Sequence, residues 1–81
     1  PTYRNPPGGE SAGRLLERAG MRGRCEGDAC FSDRHANFLV NRGRATAAEV
    51  RRLMARGRDA VKASAGVLLV PEVKMWGDFD V

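Results

Sequence analysis

Apolar positions recur at two different periods along this chain, and the changes of period mark its elements. Val50, Leu53, Met54, Gly57 and Val61 fall at helical spacing on one face, with Arg51, Arg52, Arg56, Arg58 and Lys62 mainly outside it. Thr46 and Glu49 stand three apart at the start of this run, the spacing of a capping box. A long amphipathic helix is therefore predicted from Thr46 to near Gly66. Gly57 lies on its buried side, where a missing side chain lets the helix approach a sheet closely, at a cost of up to about 1 kcal/mol against Ala. After Gly66 the period shortens to two. Val67, Leu69, Val73 and Met75 would share one face of an extended segment and Leu68, Val70 and Glu72 the other, so 66–75 is predicted as a buried strand. Pro71 has no N–H to give a ladder, which puts that strand at an edge, at its pairing limit or at a bulge. Glu72 then stands where the pattern expects a hydrophobe and is aimed off the end of a sheet, or simply ends the strand in water.

The first half of the chain is less regular. Three prolines and two glycines in the first ten residues exclude a helix there, and Tyr3-Arg4 suits a short extended piece. Ser11 is a candidate N-cap for a short helix whose apolar stripe is Leu15, Leu16 and Ala19, and Gly20 closes it. Residues 21–31 suit an extended stretch with a turn near Gly27, and 37–41 a short strand ended by Arg42-Gly43. Helix, extended segments, helix and strand make an α+β fold: a small mixed or antiparallel sheet with two helices packed on one face.

Length bounds the rest of the picture. At 81 residues the chain holds one domain at most, with a thin core of mainly Ala, Val and Leu and only 6% aromatics, and a domain of this size leans on partner surfaces. No apolar run approaches the roughly 20 residues that span a bilayer, and no basic-then-apolar leader opens the chain, so a soluble, cytoplasmic protein cut from a longer chain is expected. The net charge of +4 is carried mostly by arginines, whose flat donor fork suits phosphate and carboxylate. Those arginines are interleaved with acids. Compositional bias toward Arg is the favoured explanation, with an anionic partner the alternative.

Cys25 and Cys30 on one extended segment would have Cα atoms about 16 Å apart, beyond disulfide reach, unless the turn at Gly27 folds them together. Both are expected to be reduced and structural. His35 is the sole histidine, too few soft ligands for a structural zinc site. Polar groups collect at element ends: Arg4 and Asn5, Ser11 with Gly13, Arg22, His35 with Asn37, and Glu72. The helix opening at Ser11-Ala12-Gly13 offers backbone N–H groups to an anion, and Arg22 just beyond that helix is a candidate for a diphosphate or a solvated surface group. No nucleophile elbow, P-loop, metal spacing or dinucleotide fingerprint is present, so nothing supports independent catalysis.

Five blocks taken together carry a resemblance: Tyr3-Arg4-Asn5-Pro6, the run from Ser11 to Gly23, Ser32-Asp33-Arg34-His35-Ala36-Asn37-Phe38-Leu39-Val40-Asn41, Ala45-Thr46-Ala47-Ala48-Glu49-Val50, and Leu69-Val70-Pro71-Glu72-Val73. In this order and spacing the chain resembles the C-terminal domain of UDP-N-acetylenolpyruvoylglucosamine reductase, or UDP-N-acetylmuramate dehydrogenase. That family is of bacterial cytoplasmic flavoproteins that use NADPH to reduce the enolpyruvyl ether of a UDP-sugar in peptidoglycan precursor synthesis. The resemblance implies that residues 1–81 are a single substrate-binding lobe that closes over the UDP-sugar and is inactive alone. It further implies that FAD and NADPH serve the parent enzyme, with the flavin held by N-terminal domains of the same parent chain and none bound by this lobe. Asn5, Arg22 and His35 become substrate contacts, Arg22 nearest the diphosphate. Arg4 keeps the charge of the family's usual Lys. Glu72 becomes the acid at the enolpyruvyl carboxylate, where charge builds as hydride reaches the enol carbon.

One position departs from the family. The serine that donates the final proton stands four residues before the Asn of the first block, where this chain has Pro1; either an upstream serine serves in a shifted register, which is the expectation, or that proton donor is lacking. His35 agrees with the His-Ala-Asn form of one branch, where the other has Gln, and the missing insertion after the first block points to the insertion-free branch. The alternative reading is a small basic nucleic-acid-binding module, with arginines of the long helix as the contact. Its aromatics (Tyr3, Phe31, Phe38, Trp76 and Phe79) are too dispersed for a stacking platform, so neither nucleic acid nor membrane is expected as a partner.

Overall fold

The computed structural model describes residues 1–72. The inward placing of Val73 and Met75 and the tail from Trp76 to Val81 lie outside the described residues. Within them the chain runs as helix α1 (Ala12–Arg18), strands β1 (Cys25–Glu26), β2 (Ala29–Phe31) and β3 (Leu39–Asn41), and helix α2 (Ala47–Ala65). The strands form an antiparallel sheet in the order β1-β2-β3, and α2 lies against β1 and β2 while α1 packs on α2. This is the α+β arrangement expected.

Each helix is bounded by chemistry readable in the chain. Thr46 Oγ1 accepts from the Glu49 N–H at 3.1 Å and Glu49 Oε1 from the Thr46 N–H at 3.0 Å, closing the capping box. At the far end Gly66 takes the left-handed conformation, φ 71°, that ends the helix at little steric cost. The buried face of α2 is Val50, Leu53, Met54, Gly57 and Val61, the five positions set by the period. In α1, Ser11 Oγ accepts from the Arg14 N–H. After α1 the Gly20 N–H donates to Glu17 and the Met21 N–H to Leu16, with Leu16 and Met21 both buried: a Schellman closure around Gly20.

Two expectations need correction. Cys25 and Cys30 are not separate thiols but a disulfide, with Cα atoms 4.0 Å apart. The reason is the turn at Gly27: it folds β1 back on β2 so that Cys25 and Cys30 become directly opposed partners. The second concerns residues 66–75. Their described part is extended but does not join the three-stranded sheet; it makes a single antiparallel bridge, Pro71 opposite Tyr3. The Arg4 N–H donates to Val70 and the Glu72 N–H to Thr2, both at 2.8 Å, so Pro71 occupies a position from which no N–H is required. The alternation holds, with Leu69 buried, Val67 half-buried, and Leu68 and Val70 exposed.

The core joins both ends of the described residues to their middle. Tyr3, Phe31, Leu16, Leu53, Val50 and Val61 are its largest fully buried side chains. Tyr3 reaches under α2, where its hydroxyl donates to the Met54 carbonyl. Asn37 ties the N-terminal segment to the loop before β3: its Oδ1 accepts from the Tyr3 N–H and its Nδ2 donates to the Tyr3 carbonyl, both at 2.9 Å. Asn37 is therefore not the start of a strand. Its carboxamide imitates a strand's backbone, and pairing begins two residues later.

Candidate functional site

Tying Tyr3 to both Asn37 and Pro71 lays the N-terminal segment between the loop before β3 and the end of the last extended segment. A cleft of about 550 Å³ opens along that seam, within the range of small-molecule sites. Its walls come from the N-terminal segment (Pro1, Arg4, Asn5), from the start of α1, from the loop 34–38 and from Glu72. The first seventeen residues, the loop before β3 and Glu72 thus meet at one concave surface.

Of the residues singled out from sequence, Arg4, Asn5, His35 and Glu72 all line this cleft. Arg4 Nε stands 3.8 Å from Glu72 Oε1, so the carboxylate at the end of the extended segment is flanked by a guanidinium. With side chains 61% and 32% exposed, both remain reachable by a ligand, and their mutual attraction is of the weak, solvent-screened kind. Asn5 has one function already: its Oδ1 accepts from the Ala12 N–H at 3.0 Å, which caps α1 and leaves its amide N–H₂ for other use. His35 is held by its backbone, whose N–H donates to Ser32 Oγ at 3.2 Å, and its ring meets Phe38 edge-on with centroids 5.9 Å apart.

Arg22 is placed differently. It is not among the lining residues; Nη1 stands 3.4 Å from Glu17 Oε2, and Glu17 is on the wall. The opening of α1 also offers less than its sequence suggests, because Asn5 and Ser11 already accept from the N–H groups of Ala12 and Arg14. The cleft wall adds groups that sequence reasoning passed over: Arg14, Arg34 and Phe38. Arg14 lies off the apolar stripe of α1, and only the fold reveals that it faces a cleft.

Among the described residues no group of three or more His, Cys, Asp or Glu is arranged to hold a metal ion. The arginines are largely paired: Arg14 and Arg18 with Glu10, Arg52 and Arg56 with Glu26, Arg58 with Asp59. Tyr3 and Phe31, two of the few aromatics, are buried. The nucleic-acid reading accordingly gains no support from the fold. No helix among the described residues is long and apolar enough to cross a membrane.

Known proteins share both the sequence and the fold. The family model for the UDP-N-acetylenolpyruvoylglucosamine reductase C-terminal domain matches residues 1–76. UDP-N-acetylenolpyruvoylglucosamine reductase 2 of Symbiobacterium thermophilum is 53% identical over 75 residues, covering 93% of this chain and 24% of its own. The reductase of Geobacter sulfurreducens is 54% identical over 76 residues, covering 94% and 25%. A crystal structure of UDP-N-acetylenolpyruvylglucosamine reductase from Thermus caldophilus superposes with a TM-score of 0.69 at 41% identity, over 88% of this chain and 25% of that one. The chain thus spans about a quarter of the length of these relatives. With five sequence blocks, the fold and the family model in agreement, the chain belongs to the family of the C-terminal domain of UDP-N-acetylenolpyruvoylglucosamine reductase.

Proposed function

We propose that residues 1–81 form the substrate-binding lobe of a longer UDP-N-acetylenolpyruvoylglucosamine reductase, docking on flavin-binding domains of the same parent chain and closing over the UDP-sugar. The observation that carries this reading is the meeting of Arg4, Asn5, His35 and Glu72 on one cleft from three separate stretches of chain. Guanidinium, carboxamide and imidazole are donors suited to phosphate, sugar hydroxyl and carboxylate oxygens. That donor set fits a nucleotide sugar, and the flavin is assigned to the rest of the parent.

Bound in the rest of the parent, FAD reduced by NADPH would supply the hydride for the enolpyruvyl group. This lobe contributes orientation and charge. Negative charge collecting on the substrate carboxyl as hydride arrives meets the Arg4 guanidinium, and Glu72 in its protonated form donates a hydrogen bond to it, a form of stabilisation felt most in the transition state. Asn5 and His35 hold the substrate from two different segments of the wall. Pro1 lines the same cleft but has no side-chain proton to give, so the closing proton is assigned to another group. Arg22 reaches the diphosphate by leaving Glu17, and an exposed ion pair of this kind resists by only about 0–1 kcal/mol.

Glu72→Ala in the full-length parent tests the reading. Turnover is expected to fall by about two orders of magnitude or more, the scale of removing one stabilising group, with thermal stability nearly unchanged because the side chain is partly exposed and weakly paired. Near-normal turnover would discard the assignment. Arg22→Ala is expected to weaken UDP-sugar affinity by calorimetry more than it lowers turnover, since its contact precedes the chemistry and persists through it.

A further inference from the structure

Most residues lining the cleft are charged or polar, and one wall also carries a large apolar ring. Phe38 is 49% exposed and lines the cleft; the other large hydrophobics that are exposed among the described residues, Val40, Leu68 and Val70, do not. A single exposed Phe needs no explanation by itself. The backbone of this one is held on both sides. Its N–H donates to the His35 carbonyl at 2.9 Å and its carbonyl accepts from the Ser32 N–H at 2.8 Å, so the loop 32–38 is closed on itself. Ser32 Oγ accepts from the N–H groups of Arg34 and His35, fixing the interior of that loop. The ring itself meets His35 at 72°, edge to face.

Phe38 and Arg34 thus line one cleft from the same closed loop. A ring held in advance loses little freedom when a flat ligand lies on it, so most of the stacking energy appears as affinity. Arg34 follows Ser32 on the same loop, also lines the cleft and makes no ion pair among the described residues, so a ligand stacked on Phe38 would carry its phosphates past a free guanidinium.

We infer that Phe38 is a specificity residue for the nucleotide sugar: it stacks on a flat or apolar face of the substrate, a pyrimidine base or the underside of a pyranose, while Arg34 contacts the diphosphate. This rests on the substrate class proposed above and adds to it two residues with stated roles. Charge complementarity alone would accept any anion of the right length. An apolar platform discriminates in favour of ligands that present a ring.

The test is calorimetric titration of the full-length parent, wild type, Phe38→Ala and Phe38→Trp, with UDP and with UDP-N-acetylglucosamine. Phe38→Ala is expected to weaken binding about 10-fold, within the range measured for losing one stacking aromatic, and Phe38→Trp to restore it. A loss seen with both ligands assigns the platform to the base, and a loss confined to UDP-N-acetylglucosamine assigns it to the sugar. Unchanged affinity for both, with a lowered melting temperature in Phe38→Ala, overturns the inference and makes the ring a packing contact with the rest of the parent. A wild-type parent that binds neither ligand overturns the substrate class itself, and this inference with it. Arg34→Ala separates the two roles: it is expected to weaken UDP but leave uridine binding unchanged, and equal losses for both would remove the phosphate contact.

Discussion

Gly57 shows how one missing side chain can decide where a helix lies. A Cβ built there would stand 2.8 Å from Phe31 Cζ and 2.9 Å from the Tyr3 hydroxyl oxygen, closer than non-bonded atoms tolerate. Neither neighbour can yield, because Phe31 is fully buried in β2 and Tyr3 is anchored on Met54. Two effects oppose each other in Gly57→Ala. Helix propensity favours Ala by about 1 kcal/mol, whereas forcing a methyl into a packed core costs about 1–3 kcal/mol. With both obstructing groups rigid, the second wins, and a net loss of about 1–2 kcal/mol is expected in urea denaturation. A stabilised variant would mean that α2 rides higher on the sheet than the structure places it. The same residue was readable in the sequence as a point of close approach, because a glycine on the apolar face of a long helix has few other reasons to be there. Asn37 was not so readable: its service to the backbone of Tyr3 depends on a partner 34 residues away.

At the level of elements, legibility followed locality. Both helices and their caps were written in neighbouring residues, since a capping box and a Schellman closure are completed within one turn. The β1–β2 hairpin shows the limit. Its turn at Gly27 was expected, but a distance argument that treats residues 25–30 as one straight segment misses what that turn does to Cys25 and Cys30. The cleft was legible as a set of residues and not as a place, because its walls are brought together by long-range pairing of Thr2, Tyr3 and Arg4, on one side with Asn37 and on the other with residues 70–72. The hairpin also yields a test. A cross-link between residues separated by 5 in sequence removes chain entropy worth about 2 kcal/mol from the unfolded state. Denaturation in urea with and without dithiothreitol should differ by about that amount. Identical midpoints would show that the two sulfurs do not hold the hairpin together.

The whole molecule is knitted by Tyr3, which touches the sheet through Phe31, α2 through Met54, the loop before β3 through Asn37 and the last extended segment through Pro71. That position makes its phenol a sensor of global unfolding. Burial pushes the Tyr3 phenol well above its ordinary value of 10.0, against a smaller opposing pull from the amide and charge of Arg58. The folded state therefore keeps the proton at a pH where the unfolded chain has lost it. Below about pH 10 both states hold the proton and this group adds no pH dependence. Above it the unfolded state binds fewer protons than the folded one, so unfolding becomes progressively easier as pH rises, by up to about 1.4 kcal/mol per unit until the folded-state value is passed. Chemical denaturation at pH 8 through 11 should reveal that downward bend. Tyr3→Phe removes the titrating group while keeping the ring in the core. It leaves the Met54 carbonyl to its helical partner, so the variant is expected to start slightly less stable at pH 8 and to lose less by pH 11. If both proteins lose stability in parallel, the alkaline response comes from other groups, and the phenol is not the buried acid that its place between sheet, helix and chain ends makes it.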